Sequence, residues 1–441
     1  MPRSDVPHNP LSGLPVSRRT VLRTASAGVA TAWAVPLLAA CTGTTAKAGS
    51  AATSTTTTLG SSASDAVPKA AIAAMVSAFE GSSGDKVTIN TKSHNDFQNQ
   101  ISSYLQGSPD DTFTWFAGYR MRYYAAKGLV APLDDVWEKL GTGNFGAGIV
   151  NASTADDGKK YFIPNYNYPW AIFYRKSVWN AHGYTVPTTF DQLRSLCAQM
   201  KKDGLIPISF GDKDGWPAMG TFDYLNMRLN GYQFHVDLMA HKENWNQAKV
   251  TTVFDTWKSL LPYQDGGALG LTWQESAQKL ATKKAGMYLL GSFVTQQFTD
   301  PAVLADVDFF QFPTLDESYG QDALEAPIDG FMASKKGGDN KAAKDLLAYL
   351  GSPAGQNTYA AKDPSNVATN KGADFSKLTP LQQKAQQTIA NAKYISQFLD
   401  RDALPAFANN VMIPALQSFL KDGSFNAGSV ESQAKALYAA Q

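Results

Sequence analysis

The chain has 441 residues, of which 44% are hydrophobic and 17% charged, and its formal net charge is +1. That length suits two or three domains with ample material for cores. The near-neutral balance, with no run of like charges, excludes nucleic-acid binding through a basic face.

Residues 1–40 read as an export signal. Arg18 and Arg19 stand in the pattern Ser17-Arg18-Arg19-Thr20-Val21-Leu22-Arg23, and an apolar stretch from Ala25 ends in Leu38-Ala39-Ala40-Cys41. Basic residues, an apolar run and small residues before a cleavage point form the layout of a secretory signal, and the paired arginines mark the twin-arginine route, which carries folded chains. Ser26, Gly28, Thr31 and Pro36 interrupt the run, which falls short of the ~20 strongly apolar residues of a membrane span. The stretch resembles a bacterial lipoprotein signal, and the resemblance implies cleavage before Cys41 and acylation of that cysteine. Without residues 1–40 the chain keeps 35 Lys+Arg and 37 Asp+Glu. Cys197 is then the one remaining unmodified thiol, read as a small apolar core residue. Residues 41–52 read as a flexible Thr/Ser-rich linker. The threonines that follow begin a first strand ending at Leu59.

From Asp65 onward strand and helix patterns alternate. Ile72, Met75, Val76 and Phe79 share a helix face, with Pro68 near the first turn. Lys86–Asn90 alternates as a strand. Asp96 predicts the cap of a helix carrying Phe97, Ile101, Tyr104 and Leu105. The segment 113–124, FTWFAGYRMRYY, divides into a strand and a helix that stops at Gly128. Two extended pieces surround Pro164 and Pro169. Thr189-x-x-Gln192 is a capping box for a helix through about Lys202, and IPISFG after Gly204 is a strand. Trp216-Pro217 precedes another helix, and two more cover roughly 245–263 and 273–284. AGMYLLGSF reads as a buried strand, and VDFFQFP and APIDGFMAS as extended segments. The remainder reads as helices over 340–350, 353–362, 379–399, 403–421 and 429–440. Such alternation points to an α/β fold with a parallel or mixed sheet.

Catalytic patterns are sparse. His94, His182, His235 and His241 show no zinc-type spacing, and there is no GxSxG elbow or Walker loop. No catalytic residue, metal site or cofactor is predicted. The two carboxylates of a glycosidase need not be close in sequence, so an anchored glycan-active enzyme stays open as an alternative. Aromatic residues instead gather beside turns and strand ends: Trp115 and Tyr119, then Tyr166, Tyr168 and Trp170, then Trp216, Trp273 and Phe293. Sugars offer flat C–H faces to rings and a rim of hydroxyls to polar groups, so aromatic platforms edged by Asp, Asn, Arg and His suit them. His94, just after the KVTIN strand, is a candidate for such an edge. Phe97, Tyr104, Trp137, Phe173, Trp179 and Trp257 sit at periodic positions and read as core.

A set of segments then carries a resemblance: VSAFEGSSGDKVTIN, AAKGLVAPLDDVWEK, GKKYFIPNYNYPWAIFYRKSVWNAHGYTVPTTFDQL, GLTWQESAQKLATKKAGMYLLGSF, DFFQFP and APIDGFMASKKGGDNKAAKDLLAYLGSPAGQ. In this order, behind a lipoprotein-type signal, they resemble the sugar-binding proteins of bacterial ABC importers (extracellular solute-binding protein family 1, maltose-binding-like). The resemblance implies a two-lobed periplasmic-binding-protein-like α/β fold of type II, with a hinge, an interlobe cleft and extra C-terminal helices. The N-terminal lobe would hold residues 53–158 with 314–361, and the C-terminal lobe 159–313 with 362–441. Implied cleft residues are Trp115, Tyr119 and Arg120, Tyr166 and Tyr168, Trp216, Gly291-Ser292-Phe293 (often Gly-x-Trp in the family) and Asp329-Gly330-Phe331, joined by Trp273 and Arg401. The family commonly opens with a strand carrying ligand contacts. Here TTTTLGSSAS stands instead, which leaves the part of Ser61–Ser64 open. The implied function is a receptor that captures a mono- or oligosaccharide and passes it to a permease. The receptor would be a monomer held on the outer face of the membrane through Cys41. The same fold with a polyamine, a polyol phosphate or iron as cargo is the alternative, with Tyr166 and Tyr168 as the residues to check for iron.

Overall fold

The structure, a computed structural model, describes residues 55–440. Arg18, Arg19, Cys41, the signal segment 1–40 and the linker 41–52 lie outside the described residues. The strands are β1 (Thr56–Ser61), β2 (Lys86–Thr91), β3 (Thr112–Phe116), β4 (Ile163–Asn167), β5 (Trp170–Arg175), β6 (Ile206–Ser209), β7 (Ala285–Gly291), β8 (Val307–Phe310), β9 (Ala323–Glu325), β10 (Ile328–Ala333), β11 (Val367–Ala368) and β12 (Tyr394–Ser396). Six form one sheet in the order β11-β4-β10-β3-β1-β2, four form another in the order β6-β7-β5-β8, and β12 pairs with β9.

In the larger sheet β1 runs parallel to β2 and β3, joined through the helices Ala66–Ser83 and His94–Gln106. β10 returns late in the chain and runs antiparallel to both β3 and β4. Phe331 and Met332 are successive on β10 and point to opposite faces. Phe331 packs with Leu59, Met75, Phe79, Trp137 and Leu350, and Met332 with Phe97, Phe113, Phe116 and Phe162. A sheet covered on both faces needs such runs of apolar residues. In the smaller sheet β5 is antiparallel to β7 and β8, while β6 is parallel to β7. Its core continues into the C-terminal helices through Phe254, Trp257, Leu416 and Phe419.

Only Tyr168 and Pro169 separate β4 from β5, so the chain passes from one sheet to the other within two residues. Residues 163–167 and 367–368 were expected in the second lobe, yet β4 and β11 pair in the larger sheet. β11 joins the sheet by pairing with β4, and the reason for β4 lies in β10. Its second edge offers free backbone groups once β3 has taken the first, and β4 satisfies them at Ile328–Asn167 and Asp329–Tyr166.

Local signals hold well where chemistry is local. The helix Phe190–Lys202 starts with both halves of the Thr189/Gln192 capping box. The helix His94–Gln106 is capped by Ser93, whose hydroxyl accepts from the Asp96 N–H, so Asp96 sits inside the first turn rather than at the cap. The expected helix 379–399 stops at Asn391, because β12 turns out to pair with β9. The expected helix 403–421 begins as the short turn Pro405–Phe407, passes through a π segment, and becomes regular at Ile413–Asp422. Among the described residues no helix is long and apolar enough to cross a membrane.

Gly330 shows how tightly β10 and β4 approach. A Cβ there would lie 2.1 Å from the carbonyl oxygen of Ile163, a backbone atom with little freedom to move. Gly330→Ala is therefore expected to destabilise the fold by about 1–3 kcal/mol. A urea-denaturation midpoint equal to that of the parent chain would contradict this.

Candidate functional site

Strand ends of both sheets line a cavity of about 340 Å³. Small-molecule pockets commonly occupy roughly 300–1,000 Å³. Of the residues singled out in the sequence, His94, Trp115, Tyr166, Tyr168, Trp216, Trp273, Phe293, Asp329, Gly330, Phe331 and Arg401 line it. Tyr119, Arg120, Gly291 and Ser292 do not, each for a physical reason. Tyr119 packs half-buried against the core of the second lobe. Arg120 lies buried behind the wall. A Cβ at Gly291 would lie 2.3 Å from the ring of Phe293 and 3.0 Å from that of Tyr168, so this glycine provides clearance for two rings. The Ser292 hydroxyl donates to the Ser365 carbonyl at 2.6 Å.

One wall is aromatic. The rings of Trp170 and Trp216 meet edge-on at 6.3 Å, Phe293 meets Tyr168 at 5.4 Å and Trp273 at 5.1 Å, and Phe398 tilts over Trp170 at 4.7 Å. Phe398 holds its ring there from a backbone at φ 108, a region that side chains rarely adopt. Such strain persists only where surrounding packing enforces it. Gly220 leaves room for Trp170, whose ring would lie 2.3 Å from any Cβ at that position. Trp115 also borders the cavity but is only 2% exposed among Phe97, Phe113, Phe116 and Tyr124.

The floor is polar and charged. Arg401 donates to Asp329 at 2.6 Å and to the Tyr168 hydroxyl at 3.0 Å, and its guanidinium lies 3.9 Å from the ring centre of Phe116. Arg120 pairs with Asp400 at 3.0 Å. Burial raises the pKa of Asp329, with Arg401 opposing that shift. Burial likewise pushes the Tyr166 and Tyr168 phenols upward, so both are neutral hydroxyls in the unliganded cavity.

A hydrogen-bond chain fixes the state of His94. Arg120, a donor only, donates a hydrogen bond to Oε1 of Gln98 at 2.6 Å. The Gln98 amide must then turn its NH₂ toward Nε2 of His94, 2.6 Å away. That nitrogen accepts, so the ring proton sits on Nδ1. Burial, reinforced by the charges of Arg401 and Arg120, pushes the His94 pKa from 6.5 down to about 4. The ring is thus a neutral donor near neutral pH. Arg120, outside the lining, sets this tautomer from behind.

Two side-chain pairs form hydrogen bonds between elements of the two lobes at the edge of the cavity. Asn95 donates to Asp214 at 2.8 Å, and Gln274 reaches the two carboxylate oxygens of Asp65 at 3.3 and 3.4 Å. Burial raises the pKa of both aspartates. The TTTTLGSSAS segment also reaches the cavity: Ser62, Ala63 and Ser64 line it, whereas Ser61 is buried on β1. Further lining residues went unread in the sequence, among them Asn95, Gln98, Asn165, Gln296, Asn366 and Asp400. Gln98 follows His94 by one helical turn and Asp400 precedes Arg401, so their neighbours were the available signal. Asn366 and Gln296 carried none.

The segment Gly141–Gly146 has the G-x-G-x-x-G spacing of a dinucleotide loop. It follows the helix Asp134–Leu140 rather than a strand, so the context that spacing requires is missing. Among the described residues no group of three or more His, Cys, Asp or Glu could hold a metal ion.

The family model for the bacterial extracellular solute-binding protein matches residues 61–357. The chain belongs to this family. Its members are binding proteins that work outside the cytoplasm. Among solved structures, that of the bacterial solute receptor AcbH, described as exclusively preferring β-D-galactopyranose, is 43% identical. The match covers 87% of this chain and 99% of that one, with a TM-score of 0.84. An uncharacterized ABC transporter extracellular-binding protein of Pyrococcus horikoshii is 23% identical over 324 residues, 73% of this chain and 70% of that protein. The alpha-glucosides-binding periplasmic protein AglE of Rhizobium meliloti is 25% identical over 300 residues, 63% of this chain and 64% of its own length.

The shift at His94 has a definite sign. Between pH 6.5 and about 4 the unfolded chain binds a proton at His94 that the folded chain refuses, so this residue costs stability as pH falls through that window. His94→Gln should lose less stability than the parent between pH 7 and 4.5. Urea midpoints that fall in parallel for both chains would refute this.

Proposed function

We propose that this protein is the ligand-capture receptor of a bacterial ABC importer and that its ligand is a carbohydrate, with a single aldohexose of the galactose type as the first candidate. The observation that carries this reading is the arrangement of the cavity. An aromatic wall of Trp216, Trp273, Phe293 and Tyr168 stands beside a polar floor of Arg401, Asp329, Asp400 and His94. Rings suit the C–H face of a pyranose, and the floor supplies donors and acceptors for its hydroxyls. The similarity to a receptor described as galactose-preferring supports the choice of first candidate. Ligand binding would draw the two lobes together around the cleft, with Asn95–Asp214 and Gln274–Asp65 as bonds between them at its edge.

The remaining parts of the reading follow from the sequence. Cys41 would carry the lipid after export by the twin-arginine route, the chain would act as a monomer, and a permease would receive the sugar with no reaction occurring on the receptor. Four aspartates line the cavity against one arginine, which is the observation favouring a cationic solute such as a polyamine. Arg401 is already engaged by Asp329 and Tyr168, which speaks against a phosphorylated polyol.

Calorimetry of the purified chain with D-galactose, D-glucose, maltose and spermidine tests the reading. Galactose should bind most tightly. Trp216→Ala should weaken that binding tenfold or more while leaving the unliganded unfolding midpoint within a few degrees of the parent. Tight binding of spermidine with no response to any sugar would overturn the carbohydrate reading, and unchanged galactose affinity in the variant would remove Trp216 from the site.

A further inference from the structure

We propose that Asp363, a residue that does not line the cavity, fixes the hydrogen-bonding polarity of one end of the site, making that end a surface of acceptors that selects for a ligand hydroxyl able to donate. The proposal rests on the carbohydrate reading above and names a specificity-setting element within it.

Asp363 is fully buried, and its carboxylate is a hub. It accepts from the Ser365 N–H at 3.1 Å and the Ser365 hydroxyl at 2.5 Å. It also accepts from the side-chain NH₂ groups of Asn366 at 2.9 Å and Gln296 at 2.8 Å, and from the Tyr359 hydroxyl at 3.1 Å. Five donors converge on one carboxylate. Burial raises its pKa, and hydrogen bonds from Ser365, Tyr359 and Gln296 oppose that rise.

A carboxylate only accepts, and a primary amide has one donating and one accepting end. With both NH₂ groups committed to Asp363, the amide oxygens of Asn366 and Gln296 are turned away from it. Both residues, and Tyr359, line the cavity, whereas Asp363 does not. Oδ1 of Asn366 is buried with no protein partner, on a residue only 3% exposed. Asn165, 2% exposed and also in the lining, likewise keeps an unpartnered Oδ1. Buried acceptors without partners are costly and rare in folded proteins. A sugar hydroxyl donating into this end would satisfy them. An ether oxygen, a carbonyl or a deoxy carbon at the same place could not. The polarity there is thus decided behind the lining, much as Arg120 decides the tautomer of His94.

The test compares D-galactose with its 2-, 3-, 4- and 6-deoxy analogues by calorimetry, in the parent chain and in Asp363→Asn, Asn366→Ala and Gln296→Ala. The parent should bind at least one deoxy analogue tenfold or more weakly than galactose. Asp363→Asn puts an NH₂ into the hub, and with that NH₂ on the side of Asn366 and Gln296 one of their amides turns over and presents a donor to the cavity. It should lose galactose affinity tenfold or more while keeping the parent's affinity for that one analogue, so the discrimination collapses. Asn366→Ala keeps the hub and removes an acceptor, and should collapse the same ratio even if Asp363→Asn does not fold. A merely structural role for Asp363 would weaken all five sugars alike. An equal loss across the series, or an unchanged ratio in Asn366→Ala, overturns the proposal. A parent chain that binds no saccharide overturns the carbohydrate reading instead.

Discussion

The cleft depends on one buried guanidinium. Arg401 belongs to the short helix Leu399–Asp402, yet its partners come from distant parts of the chain: Asp329 on β10, Tyr168 at the crossing between sheets, and the ring of Phe116 at the end of β3. A buried charge is tolerated only when paired and hydrogen-bonded, so each partner constrains the others. The guanidinium also suits the role better than an ammonium would, because its planar fork can bond two partners and stack on a ring at once. Beside it Asp400, in the lining, pairs with the buried Arg120 behind the wall. Together the two pairs bring the returning strand, the crossing and the C-terminal segment to one place, which is the floor of the cavity.

Around that floor, apparent simplicity in the sequence has a geometric purpose. Gly220 and Gly291 leave room for Trp170, Phe293 and Tyr168. Phe398 accepts an unfavourable backbone conformation and gains a tilted ring contact over Trp170. Polar side chains are oriented from outside the cavity: Arg120 acts through Gln98 on His94, and Asp363 holds Gln296 and Asn366. The groups facing a ligand therefore depend on a supporting layer that never touches it.

How far the sequence could be read follows from the range of the interactions involved. The capping box at Thr189, the apolar face of Ala66–Ser83 and the buried strand Ala285–Gly291 are local, and periodicity exposed them. β4 and β11 lie on the other side of the crossing from the one expected: β4 pairs with an edge of β10 that forms more than 150 residues later in the chain, and β11 in turn pairs with β4. The end of the helix at Asn391 was missed for a similar reason, since β12 exists only through its pairing with β9. In the site, rings beside turns were conspicuous and most of them line the cavity. Asn165, Gln296 and Asn366 are ordinary polar residues locally, and their significance comes from neighbours that only the fold supplies. Tyr119 and Arg120 stood at the right turn but on the wrong side of it, a distinction of helical phase that aromatic density alone does not carry.

The position of Arg401 also bears on timing. Domains tend to take shape from the N-terminus as a chain is made. Both sheets could assemble from residues up to Ala368, but the floor of the cavity cannot close until Asp400 and Arg401 arrive, in the last tenth of the sequence. A nascent chain still short of that point has already supplied Trp216, Trp273 and Phe293 but neither Phe398 nor the charge of Arg401. Binding competence therefore arrives late in synthesis, after both sheets can already have paired.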